Sequence, residues 1–251
     1  MALALEDVTL KAGRATLLKG VSLAVEPGRV TAVLGPNGAG KSTALSVLAG
    51  DLKPQGGRVV IEGRDMAAMS KSELARVRAV VGQHAAMSFP LTAYEVVALG
   101  AHPFAGPERD DIVEESMAAM DVLHLAGRDY PTLSGGERQR IQIARALVQL
   151  RPAARDGARR YLLMDEPTAH LDLKHKILAL ECARAFADAG GGVLCILHDL
   201  GLAQEFSDEI VLLKAGAVFS DGSSGNRLTG ETISALFEIP VWRSRSLLAS
   251  L

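Results

Sequence analysis

The chain has 251 residues, with 27 Lys+Arg against 29 Asp+Glu and a formal net charge of −2. At 48% hydrophobic and 22% charged, it has apolar material for one large domain or two small ones. The balanced charge and an aromatic content of 4% exclude a general nucleic-acid binder, which needs a basic excess and platforms for stacking bases.

Strands alternate with helices along the chain. Leu3/Leu5 and Val8/Leu10 alternate as a half-exposed strand does, and residues 21–25 could pair with it. Residues 30–34 form an apolar run of buried-strand type, followed by a Gly-rich loop and a helix over 41–49. Residues 58–62 predict another strand, and Ser70-Lys71-Ser72-Glu73 reads as a capping box opening a short helix. A buried strand is expected at 79–82. From 85 to 150 the strand signal disappears: Thr92-Ala93-Tyr94-Glu95 is a second capping box, and 107–122 and 135–150 have helical spacing. That block predicts a helical subdomain inserted in an α/β core. Strands return at 161–165 and 193–197 around a helix over 174–189, and 210–214 and 217–219 complete the core. A helical tail opens near Gly230-Glu231 and its pattern gives out beyond Pro240.

Cys182 and Cys195 lie in apolar surroundings and read as buried small hydrophobes in a reducing compartment. Met1 to Asp7 has no basic flank and carries two acids, unlike a secretory leader. No apolar stretch approaches the roughly 18 residues of a bilayer span. The expectation is a cytosolic protein, or one held at a membrane by a partner.

Gly35-Pro36-Asn37-Gly38-Ala39-Gly40-Lys41-Ser42-Thr43 fits G-x-x-x-x-G-K-[ST] between a predicted strand and a predicted helix. Its glycines let backbone N–H groups converge on phosphate oxygens, and the helix N-terminus adds its positive end. Lys41 would neutralise the β- and γ-phosphates, and the Ser42 hydroxyl would ligate magnesium. Asp165 and Glu166 end an apolar strand. The first could hold the magnesium shell and the second could orient or deprotonate water, although paired acids after a strand are commonplace. His198 follows its own apolar strand, where a hydrogen-bonded structural histidine is the plainer reading. Three strands releasing polar residues at their C-terminal ends fit the place where parallel sheets bind ligands. Leu133-Ser134-Gly135-Gly136-Glu137 at a helix start makes a second anion-binding terminus, or simply an N-cap.

The order of these motifs resembles the ATP-binding-cassette ATPases over roughly residues 3–225, with Gln83 fitting their Q-loop and Ala169-His170-Leu171-Asp172 their interface loop. The resemblance implies a P-loop NTPase with a RecA-like core sheet, an N-terminal antiparallel β region and an inserted helical subdomain. The corresponding division is 1–84 and 151–227 for the core, 85–150 for the helices and 228–251 for the tail. It also implies a head-to-tail homodimer that binds ATP and Mg2+. Each nucleotide would lie between one subunit's phosphate loop and the other's Ser134, Gly135, Gly136 and Glu137. Glu166 would be the catalytic base, His198 would contact the γ-phosphate, and Gln83 would touch magnesium and water. His170 and Asp172 would lie at the interface. Magnesium would be held by Ser42, Gln83 and Asp165. Lys11 and Ala12 stand where the family usually carries an adenine-stacking aromatic, and His170 where Ser or Ala is commoner.

Residues 81–97 resemble the ATPase subunits of bacterial iron-chelate, haem and cobalamin importers. Residues 149–160 resemble the extension of the hemin-importer ATPases, although by themselves they read as a solvated surface loop. This kinship implies haem import, with ferric-siderophore or cobalamin import as the alternative. A soluble, non-transport cassette ATPase is the more distant rival. Two integral-membrane permease subunits would dock on the helical block, where Phe89 and Tyr94 could be contacts or core. A periplasmic haem-binding protein would supply cargo indirectly, and the chain would sit on the cytoplasmic face of the inner membrane, away from nucleic acid. His84 and His102 read as exposed loop histidines rather than haem ligands.

Overall fold

The structure is a computed structural model and describes residues 2–82, 90–102, 109–150, 159–220 and 228–249. Strand β1 (Leu3–Ala12) turns at Gly13 into β2 (Ala15–Val25), and β1 also pairs with β4 (Gly56–Ile61), which continues into the short β5 (Arg64–Asp65). Leu5 and Val8 are both buried, three residues apart, which strict alternation forbids. A register shift lies between them, and Asp7 adopts φ 51°. The extra residue turns Val8 and Leu10 back toward the core.

The second sheet runs β10-β9-β3-β8-β7-β6. It comprises β3 (Val30–Leu34), β6 (Arg78–Val81), β7 (Tyr161–Asp165), β8 (Gly192–Ile196), β9 (Glu209–Lys214) and β10 (Ala217–Ser220). All are parallel except β10, which returns antiparallel to β9. Strands β3, β7 and β8 are buried at every position, as expected of a sheet covered on both faces. Their alternate side chains divide two cores. Val33, Leu163, Leu194 and Ile196 meet Ala44, Leu45, Val47 and Leu48 of helix α1 (Lys41–Ala49), which lies between the two sheets. Ala32, Leu34, Leu162, Met164, Val193 and Cys195 face the helices on the other side.

Both predicted capping boxes form: Ser70 opens α2 (Lys71–Val77) and Thr92 opens α3 (Ala93–Ala98). With α4 (Arg109–Ala119) and α5 (Gly135–Leu150), α3 makes the helical block; Val96, Met117, Tyr130, Ile141 and Ile143 fill it. Helix α6 (Leu173–Asp188) precedes β8 and α7 (Leu200–Phe206) follows it. The tail contains two helices, α8 (Gly230–Phe237) and α9 (Val241–Ala249), where the sequence pattern gave one. Pro240 separates them, and the buried Ser244 hydroxyl donates to Gly230 O at 2.5 Å. Among the described residues no helix is long and apolar enough to cross a membrane.

Three expectations change. Cys182 is only half-buried, unlike Cys195. Tyr94 is both core and surface: it packs against the helical cluster while its hydroxyl donates to Asp110 Oδ1 at 2.8 Å. Arg160, at the end of the segment read as a solvated loop, is 2% exposed. Its guanidinium donates to Arg76 O and its carbonyl accepts from Gly192 N. The adjacent strand β7 draws Arg160 inward because its first residue must pair with β6 and β8. Gln83, His84 and Phe89 lie outside the described residues.

Candidate nucleotide site

Strand β3 delivers the chain into the phosphate loop at Gly35, whose φ is 155° and where a Cβ would stand 2.1 Å from the Leu213 carbonyl oxygen of β9. Only glycine fits so close to a neighbouring strand. Gly38 and Gly40 take φ 76° and 98°, and Gly40 is the N-cap of α1. A cavity of about 630 Å³ opens here, lined by residues 37–43 together with Leu17, Glu166 and His198.

Lys41 is buried, and its Nζ donates to Gly35 O at 2.8 Å and Pro36 O at 3.0 Å. Burial lowers its pKa, opposed by the charges of Glu166 and Asp165. The ammonium's hydrogen bonds at the rim of the loop thus go to carbonyls, with the charges of Glu166 and Asp165 nearby.

Ser42, in the first turn of α1, donates to Asp165 Oδ1 at 3.2 Å across the gap between α1 and β7. Burial raises the Asp165 pKa and the neighbouring Glu166 raises it further, against the Ser42 bond and the charges of Lys41 and His198. Two hard oxygens facing each other, beside a second carboxylate, fit a small divalent cation. Among the described residues there is no cluster of three or more His, Cys, Asp or Glu able to hold a metal.

Glu166 follows Asp165 in the left-handed region at φ 50°. This turn out of β7 brings its Oε1 to 2.6 Å from His198 Nε2. His198 lies just past β8, the neighbour of β7, and Asp199 fixes the next turn by accepting from Gly201 N and Leu202 N. Strand order therefore brings together Lys41, Ser42, Asp165, Glu166 and His198, which the sequence scatters over more than 150 positions.

Ser134, Gly135 and Gly136 do not line this cavity. Ser134 N donates to Glu137 Oε2 at 2.7 Å, while Glu137 N donates to Ser134 Oγ at 3.3 Å. The turn is a capping box, and the Ser134 bonds hold the Glu137 carboxyl below the usual carboxylate range. His170, exposed and at φ 60°, lies over this helix start. A Cβ on Gly136 would come 2.8 Å from His170 O, and one on Gly135 would come 3.7 Å from His170 Cβ. Asp172 caps α6, its Oδ1 accepting from His175 N at 3.0 Å.

The sequence reading missed Leu17, the apolar wall of the cavity, and the contact of residue 170 with Gly136. The glycine pair was visible, but its second neighbour was not.

The ABC transporter family description matches residues 18–169, more than half of the chain. The chain belongs to the ABC transporter family. It is an ABC-type ATPase, which couples ATP hydrolysis to transport. The hemin import ATP-binding protein HmuV of Pseudomonas entomophila is 45% identical to it over 238 residues, covering 94% of this cassette and 92% of the relative. That of Gloeobacter violaceus is 48% identical over 225 residues, covering 88% and 82%. Among solved structures, a dimeric bacterial ABC transporter cassette superposes with a TM-score of 0.76 at 30% identity, covering 87% of the cassette and 97% of that chain. A dimeric post-hydrolysis cassette bound to ADP and Pi gives 0.75 at 29% identity, with the same coverages.

Proposed function

We propose that this chain is the ATPase subunit of a haem importer, acting as a homodimer on the cytoplasmic face of the inner membrane beneath two permease subunits. The mechanism rests most on one observation: Glu166 Oε1 and His198 Nε2 meet at 2.6 Å in the wall of the cavity that also contains Lys41. A carboxylate aligned by an imidazole beside a phosphate cradle can accept a proton from water as it attacks a γ-phosphate. Lys41, released from the Gly35 and Pro36 carbonyls, would neutralise charge on the phosphates. His198 would hold Glu166 in place and contact the γ-phosphate, and backbone N–H groups of residues 37–43 would cradle the β-phosphate. Ser42 and Asp165 would hold Mg2+, with Gln83 expected to join them. When bound, the ion neutralises charge developing on the β- and γ-oxygens.

Ser134, Gly135 and Gly136 cannot serve the cavity of their own chain, so their anion-binding terminus is assigned to the partner's nucleotide. Glu137 supports that turn, and His170 and Asp172 flank it. Such a dimer is two-fold symmetric with two equivalent sites. The core at 1–84 and 151–227, the helical block at 85–150 and the tail at 228–251 would then move against each other as nucleotide binds and leaves.

Haem as cargo is supported by the names of the relatives, which cover most of this chain. A periplasmic haem-binding protein would reach the permease and never this subunit. The test is reconstitution with its permease in vesicles. Haem should stimulate ATP turnover and accumulate, whereas stimulation by a ferric siderophore or cobalamin alone would reassign the cargo.

A further inference from the structure

Where α6 meets the turn after α4, His175, Asp172, Lys174, Asp121 and Arg140 join parts of the chain that are remote in sequence. The His175 ring is largely buried, with Nδ1 at 2.8 Å from Asp172 Oδ1 and Nε2 at 3.5 Å from Asp121 Oδ2. Lys174 Nζ donates to the same Asp121 oxygen at 2.7 Å. Asp121 sits at φ 53°, in the left-handed region that aspartate tolerates better than most non-glycine residues. Arg140 of α5 ties this turn down by donating to Met120 O at 3.1 Å and to Asp121 O at 2.5 Å.

These contacts close a ring. Arg140 ties α5 to the Asp121 turn, and His175 and Lys174 tie that turn to α6. Asp172 ties α6 to the 169–172 loop, whose His170 carbonyl lies against Gly136 at the start of α5. Both partner-facing segments, the 134–136 turn and the 169–172 loop, are thereby parts of one closed circuit.

A neutral imidazole has one donor and one lone pair, so only the imidazolium can present a proton to both carboxylates. The charged groups facing His175 are Asp172 and Lys174 of its own segment, Asp121 of the α4 turn and Arg140 of α5. The Lys174 bond holds Asp121 below the usual carboxylate range, and the bond from His175 N does the same for Asp172. Among side chains of these types, the imidazole is the one whose charge can change near neutral pH.

We infer that His175 is a positioning residue: as an imidazolium it clasps Asp172 to Asp121 and fixes the 134–136 turn and 169–172 loop as one rigid edge for the partner's nucleotide. The inference rests on the shared-site reading above. Loss of the proton turns a lone pair toward one carboxylate, so the edge loosens as pH rises.

The test measures Mg-ATP-dependent self-association of the full chain by sedimentation, in a Glu166→Gln background, at about pH 6 and about pH 8. The background dimer should weaken about fivefold at the higher pH, the scale expected of partly exposed ion pairs. His175→Ala should be weak at both values, and His175→Arg tight at both, because a guanidinium keeps its charge and donors. Asp121→Asn should also remove the pH step. A step that survives His175→Ala unchanged overturns the clasp while leaving the shared site intact. If His175→Ala fails to fold, a full step in His175→Arg overturns it equally. No dimer in the background at either pH overturns the shared-site reading, and the clasp's role with it.

Discussion

Gly35→Ala puts the tightest contact in the phosphate loop to the test. The new methyl would stand 2.1 Å from Leu213 O, where an ordinary contact needs at least 3.4 Å, so about 1.3 Å of movement is required. Strand β9 is poorly placed to supply it, because Leu34 pairs with Leu212 and Val33 with Val211 on one side and β10 pairs with it on the other. The phosphate loop must move instead, against a φ of 155° that alanine tolerates poorly. Overpacking costs about 1–3 kcal/mol and backbone strain about as much again, a total of about 2–6 kcal/mol. For a domain of this size that corresponds to a fall in melting temperature of roughly 5–20 °C. Thermal melting with and without Mg-ATP is the assay. The wild type should gain about 2.7 kcal/mol at a nucleotide concentration 100 times Kd, and the variant should gain almost nothing. A variant that melts with the wild type and is equally stabilised by nucleotide would refute the reasoning, because the cradle would then not depend on that close approach.

Glu166→Gln should retain nucleotide binding and lose about 10²- to 10⁴-fold in turnover, the usual contribution of a general base; near-normal hydrolysis would reassign that base. Asp165→Asn should raise the melting temperature of the nucleotide-free, magnesium-free protein at neutral pH. Burial raises the pKa of Asp165, so its neutral form favours the fold and stability is lost as pH rises through that raised value. The same variant should lose the magnesium dependence of ATP binding, and a lowered melting temperature without ligand would contradict this account. Ser134→Arg and Lys41→Ala should each abolish turnover alone. Mixed together they should recover one composite site per mixed dimer, at most about a quarter of wild-type activity after random pairing; no recovery would count against sharing between subunits.

Much of this chain was legible because its signals are local. The Ser70–Glu73 and Thr92–Glu95 boxes need only residues three apart. The apolar runs at 30–34 and 161–165 mark their strands to the residue, and α5 starts at Gly135 because Ser134 and Glu137 satisfy its first donors. Arg160 was misread because the polar run before it suggested solvent, while the pairing of Tyr161, the first residue of β7, with β6 and β8 was out of sight.

Sequence by itself determined the phosphate-loop motif and the alternation of strands and helices, since each depends on chain-neighbour geometry and side-chain chemistry. Only the tertiary structure decided that β3, β8 and β7 lie side by side. That order sets Ser42 opposite Asp165 and Glu166 against His198, while Ser134–Gly136 do not line their own cavity. The His175 clasp belongs to the same class. Its partners are 3 and 54 positions away, and contacts between remote segments arise from strand order and helix packing, which no short-range pattern encodes.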